Sequence, residues 1–148
     1  MERLQIETGI KKYEIVDENG DVLGVIRIDP KDFNMYERVE IAGKNIEELM
    51  NAAIKIADGD GADLIKETRI VELDEKIKEQ LNYLFDYDVS SVIFGNKNCL
   101  NLNHSVPFIQ RFLDMIIPVV KNVVEEEQKE SSERVKKYTS QYKSSDSE

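Results

Sequence analysis

One cysteine and one histidine are present among 148 residues. Cys99 has no partner for an internal disulfide, and with no second thiol or ligand cluster beside it there is no zinc pattern. His104 would have to be the base of any catalytic triad, yet no G-x-S-x-G elbow surrounds its neighbour Ser105, and adjacent side chains rarely point at one another. Cations are also scarce. Against 30 Asp and Glu there are 20 Lys and Arg, and the formal charge of -10 repels nucleic-acid phosphates and anionic lipid. No apolar run approaches the roughly 18 residues a membrane span requires, and the opening Met1, Glu2, Arg3, Leu4 lacks the apolar core of a signal peptide. The expectation is a cytoplasmic protein without nucleic-acid or membrane partners and without a cofactor.

The acidic segments that contain glycine do not carry a calcium loop. A loop started at Asp58 places Asp60 third, but Ala62, Asp63 and Arg69 fall where a ligand, a glycine and a glutamate are needed. A loop started at Asp17 has Val22 and Ile28 at the glycine and glutamate positions. Neither Gly59 with Gly61 nor Gly95 fits a phosphate-binding spacing. No set of residues forms an acid, base and nucleophile constellation, so a non-enzymatic protein is expected.

What is present is the pattern of an α+β domain, mostly helical. Residues 4 to 29 read as a β-hairpin about Asp17, Glu18, Asn19 and Gly20, where Asn-Gly predicts a type I′ turn with positive φ at both positions. Its strands carry Ile10, Tyr13, Ile15 and Val16, then Val22, Leu23, Val25, Ile26 and Ile28. Asp29-Pro30 ends the second strand, and Asp32 or Asn34 caps a helix over about 34–57 whose stripe is Val39, Ile46, Leu49, Met50, Ala53, Ile54 and Ala57. Gly43 weakens the early part of that stripe and leaves two shorter helices open as an alternative.

After the breaker Asp58 to Gly61, periodicity resumes over about 62–86 through Leu73, Ile77, Leu81, Leu84 and Phe85. A short helix over 88–94 stops at Gly95, and an Asn-rich loop carries Cys99 as a structural thiol. The last helix, 107–124, begins with Ser105 as cap and Pro107 in the first turn, and Pro118 inside it removes a backbone bond to Asp114 and is expected to kink the helix there. Beyond Val124, Glu125 with Lys129, Glu130 with Arg134 and Glu133 with Lys137 extend a charged helix into solvent. Residues 125–148 form an extension outside the domain of residues 1–124, and the Ser- and Lys-rich end from Thr139 to Glu148 is expected to be disordered.

One feature exceeds background, and two readings of it are open: a helix central to the core, which accounts for most of it, or a face shared with a partner. Phe108, Ile109, Phe112, Leu113, Ile116, Ile117, Val120, Val123 and Val124 cover more than a narrow stripe of the last helix, and Tyr83, Phe85, Tyr87 and Phe94 add an aromatic cluster. A surplus apolar face on a helix is material for a partner groove or for self-association. Phe108, Phe112, Ile116 and Ile117 are the candidate partner-binding residues, and a homo-oligomer is compatible with them.

The order of these features resembles the tail assembly chaperones of long-tailed phages and prophages of Gram-positive bacteria. The resemblance spans about residues 4 to 124. It lies in the hairpin Ile15 to Ile28 around Asn19-Gly20, the junction Asp29-Pro30 leading to Tyr36-Glu37-Arg38, and the run Leu81-Asn82-Tyr83-Leu84-Phe85-Asp86. It continues through Val89-Ser90-Ser91-Val92-Ile93-Phe94-Gly95 and closes on Pro107-Phe108-Ile109, Phe112-Leu113 and Ile116-Ile117-Pro118. The Glu- and Ser-rich segment after Val124 has no counterpart in that pattern.

The resemblance implies a non-enzymatic protein of the bacterial host cytoplasm that binds the tape measure protein while the tail tube polymerises, and is absent from the mature virion. It further implies a longer frameshifted form that recruits the major tail tube protein. Other readings open at this point are a structural tail or connector component retained in the particle, and an acidic regulatory binding protein.

Overall fold

An Asp17 carboxylate organises the first reversal of the chain. Its Oδ1 accepts the N–H groups of Asn19 and Asp21 at 2.8 and 3.0 Å, and the turn closes through Gly20 N–H to the Asp17 carbonyl at 3.1 Å. Only Gly20 takes positive φ there, at 81°, so the turn is not the type I′ that Asn-Gly predicts. The carboxylate satisfies the tip's donors with Asn19 outside the left-handed region, and the single left-handed residue then falls on glycine. The strands so joined are β1 (Lys11–Val16) and β2 (Val22–Ile28), antiparallel with Tyr13 opposite Ile26 and Ile15 opposite Gly24.

The hairpin begins at Lys11 rather than near residue 4, and residues 1 to 10 have no regular structure. Lys11 already pairs with Ile28, and Asp29-Pro30 beyond it ends the partner strand, because proline has no N–H to continue the ladder. Alternation puts Ile15, Ile26 and Ile28 into the core. Gly24 brings β2 so close to a later helix that a Cβ at this position would collide with Val92 Cγ1.

The computed structural model describes residues 1 to 146, without the side chains of Tyr138 and of residues 140 to 146. Four helices follow the hairpin: α1 (Met35–Asp58), α2 (Asp63–Phe85), α3 (Val89–Phe94) and α4 (Phe108–Asp146). The fold is α+β and mostly helical, in the expected order. Gly43 does not divide α1, which is one helix of 24 residues. Asn34 occupies the N-cap position without a side-chain bond. Asp32 instead holds the start: its Oδ1 accepts Asn34 N–H at 2.9 Å and its Oδ2 accepts Arg38 Nη2 at 2.7 Å, while Arg38 Nε donates to the Leu84 carbonyl at 3.2 Å. One guanidinium thus ties the beginning of α1 to the end of α2.

α1 and α2 pack along each other, joined by Asn45 Nδ2 to Gln80 Oε1 at 3.0 Å. Their outer end is unsupported, for no residue from Ile54 to Glu72 is buried. At the other end Asp88 caps α3, taking Ser91 N–H at 3.3 Å, the Ser91 hydroxyl at 2.6 Å and the Ser90 hydroxyl at 3.0 Å. Tyr87 closes the hairpin onto this corner: its hydroxyl accepts Arg27 N–H at 2.7 Å, and the Arg27 guanidinium lies 4.5 Å above its ring.

The entry to α4 differs from the expectation. Ser105 is not a cap, and Pro107 is not in the helix. A second small hairpin, β3 (Leu102–Asn103) with β4 (Val106–Pro107), turns on His104 and Ser105, both with positive φ at 52° and 66°. The first N–H groups of α4 are satisfied by chain carbonyls: Phe108 by Asn101 at 2.9 Å and Ile109 by Cys99 at 2.8 Å. α4 then runs as one element through Pro118 and past Val124, with its backbone helical to Asp146. Ser147 and Glu148, the end of the stretch expected to be disordered, lie outside the described residues. Among the described residues the ion pairs are Asp32–Arg38, Asp74–Lys78 and Glu40–Lys121, so the favourably spaced Glu and basic residues after Val124 do not close on one another.

Gly24→Ala is expected to destabilise the fold by about 1–3 kcal/mol, because Val92 must move out of its rotamer or the hairpin must lift; urea unfolding monitored by circular dichroism measures this. Acid stability is a second test. Hydrogen bonds from Arg38 hold the Asp32 carboxyl below its ordinary 3.8, and those from Ser91 and Ser90 do the same for Asp88. A carboxylate depressed in the folded state adds stability above its unfolded pKa and loses it as pH falls through the folded value. Stability should therefore drop below about pH 4, and Asp32→Asn with Asp88→Asn should flatten that limb in pH-dependent unfolding.

Candidate partner-binding groove

α4 has two apolar arcs with different fates. Ile109, Phe112, Ile116 and Val120 are buried. The Phe112 ring lies 6.5 Å from Phe85 and 6.2 Å from Phe94, between α2 and α3. The neighbouring arc turns toward α1, where Glu40 pairs with Lys121 at 3.2 Å; its Leu113 is also buried and its Ile117 is half-buried.

Between α1 and α4 lies an open hollow of about 580 Å³, with Ile54, Ile117 and Pro118 as its accessible apolar lining, the buried Met50 and Leu113 behind them, and Gly43 at one wall. A Cβ built on Gly43 meets nothing within 4 Å, so the missing side chain widens the groove. Polar groups edge it: Glu47 and Asn51 on α1, Gln110 and Asp114 on α4, with Gln110 Nε2 donating to Asp114 Oδ1 at 2.7 Å. From Gly43 to Ile54 the α1 wall spans roughly 17 Å at 1.5 Å per residue, about three turns of helix. Another hollow of about 590 Å³ lies beside the exposed Phe33, between Pro30–Phe33 and Glu127–Arg134.

The four sequence candidates separate. Phe112 and Ile116 are 4% and 2% exposed, so they are core residues and reach no partner while the domain is folded. Their breadth on the helix is consumed by α2 and α3, which periodicity alone does not reveal. Phe108 is half-buried, edge-on to Phe94 at 5.0 Å with the Arg111 guanidinium 5.7 Å from its ring. Ile117 is half-buried and lines the groove. On the α1 wall Met50 is buried, as its place in the apolar stripe implies, whereas Ile54 of the same stripe is exposed and Gly43 is an opening rather than a weak point. A glycine inside a long amphipathic helix was the available signal.

Other reactive groups are turned to structure. Cys99 is fully buried; burial pushes its thiol far above the ordinary range, and the hydrogen bond to Asp74 adds to this. Asp74 is itself buried, with Oδ1 accepting Cys99 N–H at 2.7 Å and Oδ2 paired to Lys78 Nζ at 3.0 Å, while Lys78 donates to the Lys97 carbonyl at 2.8 Å. His104 is exposed at a turn tip beside Ser105. Among the described residues, no three His, Cys, Asp or Glu side chains converge on a metal-sized site, and no helix is long and apolar enough to cross a membrane. No family model matches the sequence, and no curated protein or solved structure matches it.

The division between core and groove has a direct consequence. Phe112→Ala should cost about 3–5 kcal/mol of stability, whereas Ile117→Ser should cost about 1 kcal/mol because that side chain is already half in water; denaturant titration of both variants reads the difference.

Proposed function

We propose that this chain is a non-enzymatic tail assembly chaperone that holds apolar helical stretches of a phage tape measure protein while the tail tube grows around it. The observation that carries the reading is the α1–α4 groove: an apolar trough about three helical turns long, on the surface of a chain with a formal charge of -10. A long helix-rich client aggregates through its apolar stripes unless something covers them. An amphipathic helix can lay such a stripe into a groove through residues spaced i, i+3 or i+4, and i+7. The chaperone's own negative charge then keeps the coated client dispersed.

The size of the groove also suits transient binding. Three anchoring side chains gain roughly 5–9 kcal/mol of burial, against an association cost of at least about 4 kcal/mol. Such a complex forms where client is abundant and lets go when tube subunits compete for the same surface. The protein works in the host cytoplasm on this reading, and leaves before the particle is complete.

Co-expression with overlapping fragments of the tape measure protein tests the proposal. The unmodified chain should co-purify with at least one helical fragment. Gly43→Trp, which fills the groove from a position with free space above it, should lower capture at least tenfold with its thermal unfolding unchanged. Failure of the unmodified chain to retain any fragment overturns the reading.

A further inference from the structure

The two walls of the groove carry the same sign of charge. Glu47 projects from the α1 side and Asp114 from the α4 side, and both are exposed. The remaining polar liners, Asn51 and Gln110, are neutral amides, and no Lys or Arg is among the described residues that line it. The nearest basic groups on α4 are engaged elsewhere: Arg111 lies against the Phe108 ring, and Lys121 is paired with Glu40 at 3.2 Å, one turn beyond Pro118.

A helix seated in this trough would place the residues flanking its apolar stripe beside these carboxylates, one edge against each wall. We infer that the groove selects an amphipathic helix bearing Lys or Arg on both edges of its apolar stripe. This rests on the groove being the client site, and it names the chemistry of the client segment. Acidic flanks would meet like charge on both sides, so the walls discriminate by repulsion as well as by attraction. A second copy of this chain is disfavoured as occupant on the same ground, since it would bring further negative charge to an acidic rim.

Because Glu47 and Asp114 face solvent, each contributes modestly and in a salt-dependent way. The preference should amount to roughly five- to tenfold in Kd at low salt and shrink at high salt. Two synthetic 18-residue helical peptides serve as probes, with the same Leu stripe and with either Lys or Glu at the flanking positions. Fluorescence anisotropy is measured at low and high salt for the full chain, for Glu47→Lys/Asp114→Lys, and for Gly43→Trp.

The expected result is tighter binding of the Lys-flanked peptide, reversal of that preference in the double variant, and loss of both peptides with Gly43→Trp. Equal binding of the two peptides, with both still lost on Gly43→Trp, overturns the charge selection while leaving the groove as the site. Binding of neither peptide, or binding indifferent to Gly43→Trp, removes the groove reading itself. A peptide-free dimer that dissociates on Gly43→Trp identifies a second copy as the occupant and overturns the inference.

Discussion

The seating of α4 on the α2–α3 corner determines what the opposite side of the helix can do. Ile109, Phe112, Ile116 and Val120 are held among buried apolar side chains, with Phe112 between Phe85 and Phe94. A helix repeats its faces every 3.6 residues, so fixing that arc also fixes the orientation of Leu113 and Ile117 toward α1. The groove is therefore a by-product of core packing on its α4 side. Its width comes from the other wall, where Gly43 contributes no side chain.

The start of α4 is fixed by polar contacts as firmly as its middle is by apolar ones. Asp74 on α2 holds the Cys99 N–H, Lys78 holds the Lys97 carbonyl, and the carbonyls of Cys99 and Asn101 receive the first N–H groups of α4. A buried carboxylate is costly to desolvate, and this one is compensated by a backbone donor and an ammonium group. The arrangement gives the Asn-rich segment between α3 and α4 a defined path despite its polar composition. It also buries the one thiol beside a carboxylate, which leaves Cys99 with no reactive role.

Hydrophobic periodicity carried the order of elements well: α2 and α3 fall within a residue or two of their expected limits because Leu73, Ile77, Leu81 and Leu84 mark one buried face. Local chemistry misled where a competing group acted. Asn19-Gly20 suggested two left-handed residues, but the Asp17 carboxylate took the donors that such a turn leaves free. Ser105 resembled a cap, but loop carbonyls supply that function and Ser105 became a turn residue with positive φ. The candidate site was legible only in part. A sequence states that a helix is apolar over a wide arc without stating which neighbours cover it, so periodicity alone does not separate the buried Phe112 and Ile116 from the half-buried Ile117, nor Met50 from the exposed Ile54.

The unsupported outer end of the α1–α2 pair divides the molecule mechanically. From Ile54 to Glu72 nothing is anchored in the core, and the turn about Asp60 and Gly61 is held by little besides its own helices. Such an end can fray and re-form without the rest of the domain responding. Doubling the length of a flexible connection costs only about 0.6 kcal/mol of closure entropy. A fluorescent reporter or an affinity tag spliced between Asp60 and Gly61 would thus ride on a turn remote from the seating of α4, giving a handle on the chain that leaves its core untouched.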